Sequence, residues 1–275
     1  MTCVKSKGRR RSRAVLALGL AVVFLCAALA AVTYEAIYPS ASGSKTYKSG
    51  GAVLDVSNAS QGYVMVKKQS KKRLKVRITG KNQYTYDLRN DGEYDVYPLQ
   101  DGSRSYRVAV FEQVKGTSYS QLLSKSIGVD LVNEYAAFLG PNRYCRYIEE
   151  GEAVRISGEL CEGLETQRQK VETVYEYVTS NFTYDYIKSL TVKPGYVPDL
   201  DETLKTRTGI CFDHAALMCA MLRSQGIPTK LVMGYADSFY HAWNSILIDE
   251  EWVHYDATAD IALFDIRKYT EEAVY

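Results

Sequence analysis

A cysteine, a histidine and an aspartate occur in that order in the last part of the chain, each at the edge of a predicted element. Cys211 opens a run of apolar residues at helical spacing, His241 begins a predicted strand, and Asp256 ends the strand after it. A thiol, an imidazole and a carboxylate that converge supply a nucleophile, a base and a group that orients the base. The pattern therefore predicts thiol-based acyl chemistry.

The residues around Cys211 favour a helix that begins at the thiol. Gly209 permits a tight turn, and the helical spacing continues to Gln225 before Gly226-Ile227-Pro228 ends it. Unpaired N–H groups and the positive end of the helix dipole stabilise a thiolate at such a position. The same N–H groups can stabilise the negative oxygen that forms during acyl transfer.

The elements that must position the partners form a predicted hairpin. Its strands and its two-residue turn are Thr229–Tyr235, His241–Ile248, Asp249-Glu250 and Glu251–Asp256. We expect Ile248 to pair with Glu251 across the turn. In that register, His241 lies opposite Thr258 and diagonal to Asp256 on one face, about 7–8 Å away at Cα. An imidazole and a carboxylate can meet across this distance, so the hairpin can present both groups to the thiol.

These landmarks resemble the transglutaminase-like superfamily over roughly residues 160–262. The resemblance comes from Gly-Ile-Cys at a helix start, the helix end at 222–228, Gly234-Tyr235 at a strand end, His241-Ala242-Trp243, and Trp252 four residues before Asp256. It implies an α+β fold with a papain-like core. By this resemblance, Cys211 is the nucleophile, His241 the base and Asp256 the orienting carboxylate. Ala257 stands where many members have proline, which changes local stiffness and removes no catalytic group.

The resemblance implies several related activities, because members include cross-linkers, deamidases, peptidases, amidases and copies that have lost activity. We expect a thiol acyl-transfer enzyme that acts on glutamine carboxamides or peptide amide bonds of a protein or peptide at the cell surface. One alternative is a cysteine peptidase or amidase that acts on surface protein or cell-wall peptide. The other is an inactive surface adhesion or scaffold module.

Other histidines compete with His241 for the role of base. His214 lies three residues after Cys211, and His254 shares the predicted face of Asp256. Cysteine and histidine are also zinc ligands, but the sequence has no second tight Cys/His pair of the spacing found in zinc fingers. We therefore expect neither a metal nor a cofactor.

Several nearby residues have structural interpretations. Cys219 is typical of a small core residue. Trp243 and Trp252 are interpreted as core aromatics, although Trp243 could line a substrate groove. Tyr184 and Tyr186 are candidates for a second oxyanion donor.

The amino terminus has the layout of a membrane segment. Residues 1–13 form a tail with six Lys and Arg and no acid, and residues 14–32 carry no charge. This layout favours an uncleaved transmembrane anchor that leaves the rest of the chain outside the cytoplasm. A cleavable secretory signal is the alternative, because Ala28-Leu29-Ala30 fits a cleavage pattern.

The overall charge of +2 hides a mildly acidic exported part. Without the six basic residues of the tail, 28 Lys and Arg face 32 Asp and Glu, a net charge of −4. This balance disfavours a dedicated nucleic-acid binder. Only four of the six cysteines lie after residue 32, too few for a disulfide scaffold, although Cys145 and Cys161 could pair.

Changes in pattern divide the rest of the chain into four parts. Residues 33–51 have a linker composition, and 52–130 alternate apolar and polar residues with a period of two, which favours a small all-β sandwich. Residues 131–163 are interpreted as a helical connector. Residues 164–275 hold the candidate catalytic domain.

Overall fold

The period-two pattern of the amino-terminal half forms strands that pair into two antiparallel sheets. The computed structural model describes residues 33–275. Its first eight strands are β1 Thr46–Ser49, β2 Ala52–Asp55, β3 Tyr63–Lys67, β4 Leu74–Thr79, β5 Gln83–Leu88, β6 Asp95–Pro98, β7 Arg104–Lys115 and β8 Ser118–Val129. One sheet has the order β1-β2-β3-β6, and the other has the order β5-β4-β7-β8.

Both sheets contribute side chains to one apolar core. Along β4, Leu74, Val76 and Ile78 are buried, whereas the residues between them are half-buried or exposed. Successive side chains of a strand point to opposite faces, so this alternation places one face of β4 in the core. A separate all-β domain at 52–130 stays a prediction, because Tyr275 packs against this core and also against a second one.

The second core lies among six α-helices and the remaining strands of residues 33–275. The helices are α1 Glu152–Cys161, α2 Gln167–Asn181, α3 Tyr186–Thr191, α4 Leu200–Thr206, α5 Cys211–Arg223 and α6 Ala257–Ala262. The strands are β9 Thr183–Tyr184, β10 Thr208–Gly209, β11 Thr229–Ala236, β12 Phe239–Ile248, β13 Glu251–Tyr255 and β14 Tyr269–Val274. An antiparallel sheet has the order β13-β12-β11-β14, and β9 pairs with β10 in parallel. The chain therefore has a mixed helix-and-sheet fold.

Helix α5 is the centre of this second core. It packs against β11, β12, α1 and α2, and eleven of its thirteen residues are buried. A helix that is apolar on all sides is stable only when other elements surround it. Gly226 follows the helix with a φ of +70°, and a Cβ there would lie 1.9 Å from the carbonyl oxygen of Tyr34. Glycine is therefore required where α5 ends.

The segment 33–51 packs on the folded part, which corrects the expectation of a linker. Its β1 pairs with β2, and the Ile37 N–H donates to the carbonyl oxygen of Leu139 at 2.9 Å. The Tyr34 ring lies 5.4 Å from the ring of Tyr135 in an edge-on contact. Polar residues are typical of an edge strand and of a segment that lies on the protein surface. Sequence alone does not distinguish these from a flexible linker.

The expected tail at 1–13 and anchor at 14–32 lie outside the described residues. Within residues 33–275, no helix is both long enough and apolar enough to cross a membrane. The anchor stays a prediction.

Candidate active site

Cys211 is the first residue of α5, as the sequence predicts. Ile210 before it is extended, and the thiol is half-buried rather than enclosed. The carboxylate of Asp213, which is fully buried, accepts a hydrogen bond from the Ile210 N–H at 2.8 Å. A Cβ at Gly209 would lie 2.7 Å from the Cβ of Asp213, so only glycine fits beside this carboxylate. The start of the helix, and with it the sulfur, is held by this local contact.

Two side chains from outside α5 also donate hydrogen bonds to the Asp213 carboxylate. The Lys188 ammonium on α3 donates to it at 2.7 Å, and the hydroxyl of Tyr196 donates to its other oxygen. Burial lowers the pKa of Lys188, but the hydrogen bonds and charge interactions with Asp213 and Tyr196 together outweigh burial and raise it. The lysine therefore stays charged and balances a buried negative charge two residues from Cys211. An aspartate at the third helical position is a capping signal in the sequence, but its lysine partner lies 25 residues away and leaves no local signal.

His241 lies on β12 and is 7% exposed. Its Nε2 is 2.8 Å from Oδ2 of Asp256, and the Cys211 side chain lies close enough to affect its pKa. Burial lowers the pKa of His241, but the combined interactions with Asp256 and Cys211 outweigh burial and raise it to about 9. At neutral pH the imidazole is therefore protonated and lies between a thiol and a carboxylate.

Asp256 is held by three further contacts. It caps α6, where its Oδ1 accepts the Ala259 N–H at 3.0 Å. Its Oδ2 also accepts the hydroxyl of Tyr269 at 2.9 Å, and the Tyr175 hydroxyl donates to its carbonyl oxygen at 3.2 Å. Burial raises the pKa of Asp256, but the hydrogen bond and the charge of His241 outweigh it and lower the pKa below its ordinary value. The carboxylate is thus ionised and fixed in orientation. Sequence reasoning missed Tyr269, which follows no recognised landmark.

The predicted hairpin register is confirmed up to the end of β13. Ile248 pairs with Glu251, and Asp249 and Glu250 have φ values of 53° and 66°. Two positive φ values are those of a type I′ turn, which matches the twist of the strands it joins. The expectation that His241 lies opposite Thr258 is wrong, because the chain leaves the strand after Tyr255 to form α6.

The structure shows no hydrogen bond between the Cys211 sulfur and either of the other two histidines, His214 and His254. His214 is fully buried, and its Nδ1 is 2.9 Å from the Thr258 hydroxyl. Burial lowers the pKa of His214 to about 4, so its imidazole is neutral at physiological pH. His254 packs on Tyr269, with ring centroids 4.1 Å apart, and burial lowers its pKa as well. The structure brings Cys211, His241 and Asp256 together and leaves both rivals outside this group.

The two tryptophans differ in their distance from the site. Trp243 is 4% exposed and stacks on His241 with centroids 6.2 Å apart, so it restricts the imidazole rather than lining an open groove. Trp252 packs edge-on against Phe138 at 5.6 Å, and the Lys230 ammonium lies 3.7 Å from the centre of its ring. Trp252 therefore packs the hairpin of β12 and β13 against the segment after β8.

The four cysteines of residues 33–275 are free thiols. Cys145 does not pair with Cys161; its thiol donates to the carbonyl oxygen of Ala216 at 3.4 Å. Cys219 is fully buried in the core, as predicted. Within the described residues, no group of three or more Cys, His, Asp or Glu side chains is arranged to hold a metal ion.

We expect an alkylating reagent at neutral pH to label Cys211 before Cys145, Cys161 and Cys219 in the folded protein. Cys211 is half-buried, whereas the other three are at most 5% exposed. Burial also raises the pKa of Cys145 and Cys161, which keeps them as unreactive thiols. Limited iodoacetamide treatment followed by peptide mass spectrometry measures the order. First labelling of Cys219 under native conditions would contradict the assignment.

One family model matches the part of the chain that contains these residues. Residues 154–257 match the family model described as the transglutaminase-like superfamily. The uncharacterized protein YebA of Bacillus subtilis (strain 168) is 29% identical over 110 residues, which cover 32% of this chain and 15% of that protein. The chain therefore spans only a small part of this curated relative's length.

Two solved structures are also similar to this chain. A provisionally assigned cysteine protease from Cytophaga hutchinsonii has a TM-score of 0.44 at 17% identity, over 84% of this chain and 83% of that chain. Red sea bream transglutaminase has a TM-score of 0.33 at 15% identity, over 75% and 49% of the two chains. These low values carry no functional argument. The match to the family model, in agreement with the sequence landmarks, identifies residues 154–257 as a transglutaminase-like domain.

Proposed function

We propose that this protein is a cysteine-dependent enzyme that transfers the acyl group of a glutamine carboxamide or a peptide amide bond. Cys211 is the nucleophile, His241 is the general acid and base, and Asp256 orients the imidazole. The observation that carries the proposal is the 2.8 Å contact between the buried His241 imidazole and the Asp256 carboxylate, with Cys211 close enough to raise the pKa of that imidazole. A thiol, an imidazole and a carboxylate in this order are the parts that covalent acyl transfer requires.

The first step is attack by the Cys211 sulfur on the carbonyl carbon of the amide. Positive charge on His241 stabilises negative charge on the sulfur beside it, and the same imidazolium then donates its proton to the leaving nitrogen. The C–N bond breaks, ammonia or an amine leaves, and a thioester remains on Cys211. In the second step, His241 removes a proton from a primary amine or from water, which attacks the thioester and frees the thiol.

Negative charge that forms on the carbonyl oxygen needs hydrogen-bond donors. The N–H groups in the first turn of α5 have no partners within the helix and lie at the positive end of its dipole. We assign them as the oxyanion donors. Tyr184 is a candidate for a second donor, because β9 pairs with β10 directly before Cys211. Tyr186 is a weaker choice, because it is 58% exposed and packs on Tyr184 from outside.

The amino-terminal sequence supports a location for the reaction outside the cytoplasm. The basic tail and the uncharged stretch at 14–32 support a single-pass anchor that holds residues 33–275 on the outer side of the cell membrane. A substrate in that location is a surface protein or a peptide rather than a cytoplasmic metabolite.

Mass spectrometry of a glutamine peptide incubated with the full-length protein tests the reaction, with and without a primary amine. We expect a mass change on the peptide that corresponds to amine incorporation or deamidation. We also expect a thioester on Cys211, which disappears in Cys211→Ser. Backbone cleavage would assign the same site to a peptidase. A peptide modified equally by Cys211→Ser would overturn the proposed nucleophile.

A further inference from the structure

Exposed apolar side chains are concentrated on the elements next to Cys211. In residues 33–275, eleven large apolar side chains are strongly exposed, and eight of them lie on α3, on the hairpin between β11 and β12, or directly after α6. These eight are Tyr186, Ile187, Leu190, Tyr235, Phe239, Tyr240, Leu263 and Phe264. Single exposed apolar residues are ordinary, whereas a concentration of them marks a binding surface.

The first group begins at Tyr184, which pairs in register with Gly209 two residues before Cys211. The Tyr184 ring contacts Tyr186 at 4.9 Å and Phe264 at 5.5 Å between centroids. Leu190, which is 87% exposed, lies one helical turn after Tyr186 on α3. We call Tyr184, Tyr186, Ile187, Leu190, Leu263 and Phe264 the α3 wall.

Helix α3 buries none of its residues, although half of its side chains are large and apolar. It is held from its polar side, where the Asp185 side chain accepts the Lys188 N–H at 2.8 Å and Lys188 reaches the buried Asp213. The Asp185 N–H also donates to the carbonyl oxygen of Gly209 at 2.9 Å. These polar contacts fix α3 beside Cys211 and leave its apolar side chains in solvent.

The second group begins at Tyr240, the residue before His241. Its ring contacts Tyr235 across the hairpin at 5.6 Å between centroids, and Phe239 beside it is 75% exposed. Successive side chains of a strand point to opposite faces, so Phe239 lies on the other face, and we call Tyr235 and Tyr240 the hairpin wall. Asp237 in the turn accepts the Lys268 N–H at 3.0 Å and donates its own N–H to the Lys268 carbonyl oxygen at 2.7 Å. The hairpin wall is therefore an ordered surface.

We infer that the substrate is an extended polypeptide with aromatic or large aliphatic side chains on both sides of the reacting amide, and that the α3 wall and the hairpin wall bind them. The inference rests on the proposed function, because it assigns an occupant to the surface around the nucleophile. Tyr184 pairs with Gly209, two residues before Cys211, and Tyr240 directly precedes His241, so both walls begin beside the proposed catalytic residues. Both walls are also held before binding, which reduces the ordering cost of a bound peptide.

Two synthetic peptides with the full-length protein test the substrate class. Each is an acetylated pentapeptide amide with a central glutamine, flanked in one by Phe and Leu and in the other by Ser. We expect kcat/KM to be at least about tenfold higher for the apolar peptide, because each buried apolar side chain contributes about a tenfold gain or more. Tyr235→Ser and Leu190→Ser should each remove about 3- to 10-fold of this preference, mainly through KM.

Val114→Ser is the matched control, because Val114 is 63% exposed on the distant strand β7. We expect it to leave both peptides unchanged. Equal kcat/KM for the two peptides, or no reaction with either, would overturn the substrate class. Selective alkylation of Cys211 in the same sample reports separately on the proposed nucleophile. Loss of a dimer, or of vesicle binding, as the main effect of Tyr235→Ser would instead assign the surface to a second copy or to a membrane and would also overturn the inference.

Discussion

Replacing His241 with alanine is expected to lower the rate of thioester formation on the order of a hundredfold or more. The imidazole contacts Asp256 at 2.8 Å, and Asp256 and Cys211 raise its pKa to about 9, which keeps it protonated at neutral pH. Its loss removes both the positive charge beside the sulfur and the proton for the leaving nitrogen. Rapid-quench mass spectrometry of the acylated protein measures the rate.

His254→Ala is the matched control for this experiment. His254 lies near the same carboxylate but packs on Trp243 and Tyr269 instead of contacting the sulfur. We expect most of the activity to remain, and His214→Ala should behave similarly once its thermal stability is taken into account. If His254→Ala were the more damaging change at equal thermal stability, the role of the base would have to be reassigned to His254.

Replacing Arg223 with methionine is expected to destabilise the folded protein by about 3 kcal/mol. The side chain is fully buried, and it donates to the carbonyl oxygens of Thr229 and Gly140, each at 2.8 Å, and to a main-chain oxygen of Tyr275 at 2.6 Å. Methionine fills similar space but leaves these buried oxygens without their donor. Differential scanning calorimetry should show Tm lower by about 6–12 °C for a unit of this size.

Arg155→Met provides the comparison for Arg223. Arg155 is exposed on α1 and pairs with Glu152 and Glu159 on the same helix. Exposed ion pairs contribute little because solvent screens them, so we expect almost no change in Tm. A similar small effect for Arg223→Met would show that water replaces the three lost hydrogen bonds.

Arg223 also explains why the two cores depend on each other. It extends from the last turn of α5 to Gly140 and to Tyr275 after β14. The Tyr275 ring in turn lies 5.7 Å from Tyr86 and 4.6 Å from Tyr144 between centroids. The end of the nucleophile helix is therefore tied to both halves of residues 33–275, and a change at Arg223 is expected to affect the whole unit.

Local sequence patterns were sufficient to predict the start of α5 and the register of the hairpin. Gly209 and the apolar spacing after Cys211 act within a few residues, and so does the two-residue turn that aligns Ile248 with Glu251. The spacing of apolar residues, with a period of 3.6 in a helix or of two in a strand, involves only neighbouring residues. These elements can therefore be predicted without a tertiary structure. The same landmarks were enough to recognise the transglutaminase-like domain.

Only the tertiary structure decided which distant groups complete the site. Lys188 reaches Asp213 from 25 residues away, and Tyr269 reaches Asp256 from another strand. Such contacts depend on how elements pack, and no periodicity encodes the partner of a single polar side chain. For the same reason the segment 33–51, polar enough to resemble a linker, was found to pair and pack with the folded part. Local sequence determined where α5 begins and how the hairpin turns, and packing determined what surrounds Cys211.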